Sequence, residues 1–248
     1  MATSIDEFGA PPRAPGRGYM ADQDFFLRFA ITLALFILFG FAQFAMRGYS
    51  SFSTAPITVH LHGGLMVAWL GIFVAQNMLV HRGELAVHRK LGWLSAGLVP
   101  IVALTGVLVG YNAVALNRVP PFFGNPYFLT LATVGPLLFA GTVFWAIAKR
   151  RQVQWHRRLM LGAMFLLLEP ALGRLLPMPP MGAWGETAVL LVQLLFVAVL
   201  ARHDRHVLGS VHPATMAVTV LLLANHALLE VISRVPAVVG FAEALAAG

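Results

Sequence analysis

The chain has 248 residues, 58% hydrophobic and 11% charged, with a mean hydropathy of +0.77. An ordinary soluble domain carries about 25% charged residues, so composition excludes one and predicts an all-α, polytopic membrane protein. Cysteine is absent, which excludes disulfides, thiolate metal sites, iron–sulfur clusters and covalent c-type haem; the net charge of +7 reads as loops facing an anionic membrane surface, not as a nucleic-acid footprint.

Residues 1–24 are polar and irregular, with Pro11, Pro12, Pro15 and mixed charges. A cleaved leader would set a basic end against a short apolar core and a small-residue cleavage site; this stretch reads instead as a cytoplasmic tail. A membrane-crossing helix needs about 20 mostly apolar residues. Seven windows qualify: 25–46, 57–80, 91–113, 127–148, 157–176, 184–201 and 213–234. They form one seven-helix transmembrane domain over 25–234, followed by a short outer tail at 235–248.

The loops assign the orientation. Thirteen of the seventeen Lys and Arg residues fall on one side: Arg13, Arg17, Arg28, Arg82, Arg89, Lys90, Lys149, Arg150, Arg151, Arg157, Arg158, Arg202 and Arg205. Arg47, Arg118, Arg174 and Arg234 fall on the other. The positive-inside rule then places the N-terminus in the cytoplasm and the C-terminus outside, in a bacterial inner membrane.

Histidine is costly in hydrocarbon, so its placement carries the functional reading. The stretch from His60 to Trp93 holds His60 and His62 at the start of the second window, and His81 and His88 around the next loop. His60 lies roughly 200° from His62 on a helix, and Gly63 and Gly64 beside His62 allow close approach by a cofactor or another backbone. His88-Arg-Lys-Leu and His156-Arg-Arg-Leu open the third and fifth windows alike, as interfacial anchors or as paired ligands. On the last helix, His212, Thr219, His226, Glu230 and Arg234 share one stripe. Glu169 lies deep in the fifth window, and Pro170 after it loosens the helix and frees a carbonyl.

Two layers follow. The outer one draws on His62, Glu169, Arg174, His226 and Glu230, with Asn225 and Gln193 as seconds. The inner one draws on His88, His156 and His212, with Gln76 nearby. His212 and His226, fourteen residues apart, are separated by about 21 Å along a helix, enough for one site in each leaflet.

Several chemistries are excluded. The only lysines, Lys90 and Lys149, lie at a membrane boundary, so no retinal Schiff base is available. HExxH, P-loop, Rossmann and GxSxG motifs are absent, as are the dense histidine boxes of di-iron desaturases. What fits is haem b held between histidines: His62 with His226 outside, His88 with His156 inside, His212 as a further cofactor-binding residue and Arg174 for a propionate. The activity expected is one-electron transfer to or from quinone or a respiratory-chain partner, with Glu169 or Glu230 as catalytic proton relay.

Two resemblances accompany these residues. His62-Gly-Gly-Leu-Met, Trp69, Arg82 and His88 resemble the transmembrane b cytochromes of the ascorbate-reducible type over about residues 60–110. That family holds two haems on four consecutive helices, whereas the fourth window here has no histidine. Across 57–234, HRKLG, HRRLMLGA, PALGR and HPAT resemble a family of uncharacterised bacterial multi-pass proteins, which implies the fold and an inner-membrane location but no activity. A rival is the zinc-dependent membrane hydrolase class, with alkaline ceramidases and progestin- and adiponectin-type receptors. There, metal-bound water attacks lipid amides, and His62, His88, His156 and His226 are the available metal-binding histidines. A non-enzymatic assembly or transport role stays open beside both.

Overall fold

The computed structural model describes residues 22–49 and 53–248, and every regular element among them is helical. In chain order these are α1 (Gln23–Met46), α2 (Ile57–His81), α3 (Leu85–Ala115), α4 (Asn125–Ala148), α5 (Val153–Leu166), α6 (Leu168–Leu175), the single turn α7 (Met178–Met181), a 3-10 turn (Gly182–Trp184), α8 (Gly185–Leu208), α9 (Pro213–Ile232) and α10 (Pro236–Ala247). The polar tail expected at 1–24 lies outside the described residues up to position 21; α1 takes over from Gln23.

Local chemistry sets the ends. Pro126, Pro213 and Pro236 open α4, α9 and α10, where the missing N–H costs nothing and φ is already helical. Gly209 closes α8 with φ +78, a left-handed position open to glycine. Among the described residues, six helices are long and apolar enough to cross a membrane: α1, α2, α3, α4, α8 and α9. They turn large apolar side chains outward, among them Leu35, Leu94, Leu195 and Val220, as a multi-pass membrane protein turns them to lipid.

The fifth expected span differs from a continuous helix. It divides at Leu167 into α5 and α6. Pro170 is the cause: it lacks the N–H that would bond the Leu166 carbonyl, and its ring crowds that same group. The pair is also the centre of the bundle. Residues Leu161 to Leu166 are all buried, as are Leu168, Ala171 and Leu172, and a helix apolar all round belongs inside. The other helices wrap it: α1 packs on α2 and α6, α2 on α3, α3 on α4, and α9 on α4, α5 and α8. The tail at 235–248 forms α10, which lies on α4 and α3 and buries Ala242.

Candidate functional site

The helices bring two groups of polar side chains together, one at each end of the bundle. The end carrying the Arg- and Lys-rich loops is called the basic end below.

At the opposite end, five elements converge on Glu169. It occupies the first turn of α6, directly after the break, and is 5% exposed. Asn225 of α9 donates from Nδ2 to Glu169 Oε2 at 3.0 Å. His226, the next residue of α9, bonds through Nε2 to Gln193 Oε1 of α8 at 2.9 Å. Gln193 Nε2 in turn donates to the Phe165 carbonyl at 3.0 Å, a group at the end of α5 beside the break. That second bond fixes the amide, so Oε1 accepts and the His226 Nε2 carries the proton. In the first turn of α8, Glu186 accepts a hydrogen bond from the Tyr127 hydroxyl of α4. Glu186 and Gln193 are seven residues apart, so they share a face.

Ligand atoms of Glu169, Glu186 and His226 lie within 4.8 Å of one another. Beside them is a cavity of about 100 Å³ lined by Tyr127, Glu186, Thr187, Leu190, His226 and Glu230. Glu169 Oε1, Glu186 Oε2 and Asn225 Oδ1 are buried with no hydrogen-bond partner.

At the basic end, the rings of His88 (α3) and His156 (α5) meet edge to face, centroids 6.5 Å apart. His156 Nδ1 bonds the Ala146 carbonyl at 2.8 Å, and the His88 ring pairs with the backbone of Gln76. His88 Nδ1 and Gln76 Oε1 are buried without partners. Nearby is a set of ion pairs. Arg157 forks onto Asp22 at 2.7 and 2.6 Å and lies over the Phe26 ring. Arg158, fully buried, bonds Asp204 through Nε at 2.9 Å.

The expected site residues therefore separate. Glu169, His226, Asn225 and Gln193 come together, as do His88 and His156. His62 does not join them: its Nδ1 bonds Thr105 Oγ1 of α3 at 3.1 Å, and its Cε1 lies against Gly106. Arg174 donates to the Pro170 carbonyl at 2.7 Å and rests over the Phe41 ring. Glu230 lines the cavity but pairs with Arg234 in the exposed last turns of α9. His212 caps α9, its Nδ1 accepting from the Ala214 N–H at 3.0 Å.

Sequence reasoning missed Glu186 and Tyr127. The signal for Glu186 was its seven-residue spacing from Gln193; Tyr127 gave none, since a tyrosine at a helix start is ordinary interfacial chemistry. The buried pairs were missed too, because Arg157 and Arg158 read as loop charges. Compared with family models, curated proteins and solved structures, the chain matches none of them.

Proposed function

We propose that this multi-pass membrane protein transfers electrons through a haem b held between His88 and His156 at the basic end. The observation that carries the reading is the pairing of these rings, each with one nitrogen engaged by the backbone. A metal-ligating histidine characteristically gives its other ring nitrogen to a carbonyl or carboxylate, which fixes the tautomer and leaves the free nitrogen as ligand. His156 does this with Ala146, and His88 with Gln76. The His88 nitrogen left over is buried and unpartnered. His88 and His156 would hold the group between them, from α3 and α5, with their ring centroids 6.5 Å apart. Bound haem would supply the one-electron chemistry. The protein's part is to orient both imidazoles and to offer Arg89, Lys90 and Arg150, all exposed nearby, to the propionates and to an anionic membrane surface.

In this reading the N-terminus is cytoplasmic, and the broken pair α5–α6 makes a seventh crossing. Quinone or a respiratory-chain partner would exchange the electron at the basic end. The test is a reduced-minus-oxidised spectrum of protein purified from haem-replete cells. One haem per chain is expected, lost in both His88→Ala and His156→Ala and kept in His62→Ala and His226→Ala. Folded protein without a Soret or α-band sinks the proposal. Haem retained in both inner variants reassigns the ligands.

A further inference from the structure

We infer that Glu169, Glu186 and His226 form a binding site for one divalent transition-metal ion at the end of the bundle opposite the histidine pair. The inference is independent of the haem reading, since the two sites share no residue.

Three observations carry it. The first is donor geometry: one ligand atom from each residue falls inside a 4.8 Å cluster. Metal bonds of about 2.0–2.2 Å hold ligand atoms no more than about 4.4 Å apart, so a small inward movement of these side chains closes the set on one ion. The second is the kind of atom left unsatisfied. Glu169 Oε1, Glu186 Oε2 and Asn225 Oδ1 are all lone-pair acceptors, buried and without a donor. The Gln193 bond commits His226 Nε2 as donor, which leaves Nδ1 as another lone pair. Buried polar groups are normally paired, so acceptor atoms left over once Asn225 Nδ2 and the Tyr127 hydroxyl are engaged elsewhere ask for a cation.

The third is charge. Among the described residues, neither Glu169 nor Glu186 has an ion-pair partner. The two carboxylates, Glu169 buried and Glu186 half-buried, therefore sit close together with no countercharge of their own. One divalent ion neutralises both. Every residue in the set is also held from behind: Glu169 by Asn225, Glu186 by Tyr127 and His226 by Gln193. Such outer partners are what keep metal ligands in place.

One histidine with two carboxylates suits zinc, manganese or ferrous iron better than a soft cuprous ion, which prefers sulfur. It also differs from the histidine-only set expected for a membrane zinc hydrolase. The adjoining cavity of about 100 Å³ has room for a few waters. The ion therefore keeps an open coordination position, with exchange limited to water or a small anion.

The test uses the full chain in detergent, stripped with a chelator and titrated with Zn²⁺ by calorimetry; Co²⁺ absorption reports the ligand field. About one Zn²⁺ per chain is expected, with a zinc-dependent rise in Tm. Glu169→Gln and Glu186→Gln keep the side-chain shape and remove a buried charge, so both should fold; each should weaken binding more than about tenfold. Gln193→Leu, which touches no metal but releases the imidazole, should weaken it roughly 10–100-fold. His206→Ala, an exposed histidine at the basic end of α8, should bind as wild type does. Wild-type protein that takes up no zinc and shows no change in Tm overturns the inference. So does a folded Glu169→Gln/Glu186→Gln variant with wild-type affinity.

Discussion

Asp204 of α8 accepts three hydrogen bonds at once: from Arg158 Nε of α5 at 2.9 Å, from the N–H of His212, the α9 N-cap, at 3.0 Å and from Thr215 Oγ1 of α9 at 2.6 Å. It is fully buried, so this one carboxylate ties α5, α8 and α9 at the basic end. Position in the sequence hid the arrangement: Arg158 reads as one of a run of loop cations, and its partner lies 46 residues away. His212 shows the same limit. Its place on the stripe with Thr219 and His226 suggested a ligand of the inner layer, whereas its Nδ1 serves as helix cap. Burial, and next the Arg158 guanidinium, hold the His212 pKa below the usual histidine range. A proton there would remove the cap's lone pair and set a positive charge at a helix N-terminus, where the macrodipole disfavours it. The unfolded chain therefore binds this proton more readily than the native one, and stability rises with pH. The contribution is complete above about 6.5, the unfolded histidine pKa, and is lost as pH falls through the lower native value. His212→Asn, a residue equally able to cap, should match wild type at pH 7.5 and lose less Tm at pH 5.5. His212→Ala should cost about 1 kcal/mol at pH 7.5 and less at pH 5.5, where the wild-type cap is itself weakened. Thermal melts in detergent read all three proteins, and identical acid sensitivity in wild type and His212→Asn would refute the assignment.

At the scale of the elements, hydropathy located the helices well because lipid imposes one length and one composition on every crossing. The windows at 25–46, 57–80 and 127–148 fall within two residues of α1, α2 and α4. What the windows hid is how closely neighbours approach, since packing distance depends on which small residues face each other. Gly110 and Ala132 are the clearest case. A Cβ on Gly110 would stand 2.0 Å from the Ala132 Cβ, and neither atom can rotate away. Gly110→Ala should therefore force α3 from α4 and cost about 1–3 kcal/mol, the usual range for overpacking. Gly110→Ala/Ala132→Gly moves the methyl to the other helix and should recover most of the loss. Denaturant titration of the two single variants and the double one gives the coupling energy directly. Additive effects would mean that the two helices do not meet there. The break at Leu167 was half legible. Pro170 announced a weakened helix, but only the fold brings Gln193 to the Phe165 carbonyl and Glu186 to the side of Glu169.

For the whole molecule, the charge bias that predicts orientation survives the discovery that some of its members are paired. Arg157 and Arg158 are neutralised by Asp22 and Asp204, so they attract no lipid headgroup. Arg82, Arg89, Lys90, Arg150, Arg151, Arg202 and Arg205 remain at or near the surface of the basic end. Against them the opposite end holds Arg47, Arg118, Arg174 and Arg234, of which Arg234 is paired with Glu230. The proposed orientation, with the basic end cytoplasmic, rests on this remaining excess. Whether six or seven segments cross turns on the broken pair. If α5–α6 crosses, the Met178–Met181 turn lies on the side of the α3–α4 connection, and both termini of the bundle face opposite compartments. The chain contains no cysteine, so single introduced thiols report this without background. Glu84, Arg151 and Ser210 are exposed at the basic end, and Tyr49, Pro121 and Pro179 at the other. Each changed to Cys in turn should divide into two sets toward a membrane-impermeant maleimide on intact cells. Labelling is expected at positions 49, 121 and 179, and protection until lysis at 84, 151 and 210. Protection at 179 together with labelling at 121 would leave α5–α6 on one side and reduce the crossings to six. The reverse pattern at all six positions would keep the seven crossings and invert the protein, placing the Glu169–Glu186–His226 cluster toward the cytoplasm and the His88–His156 pair outside.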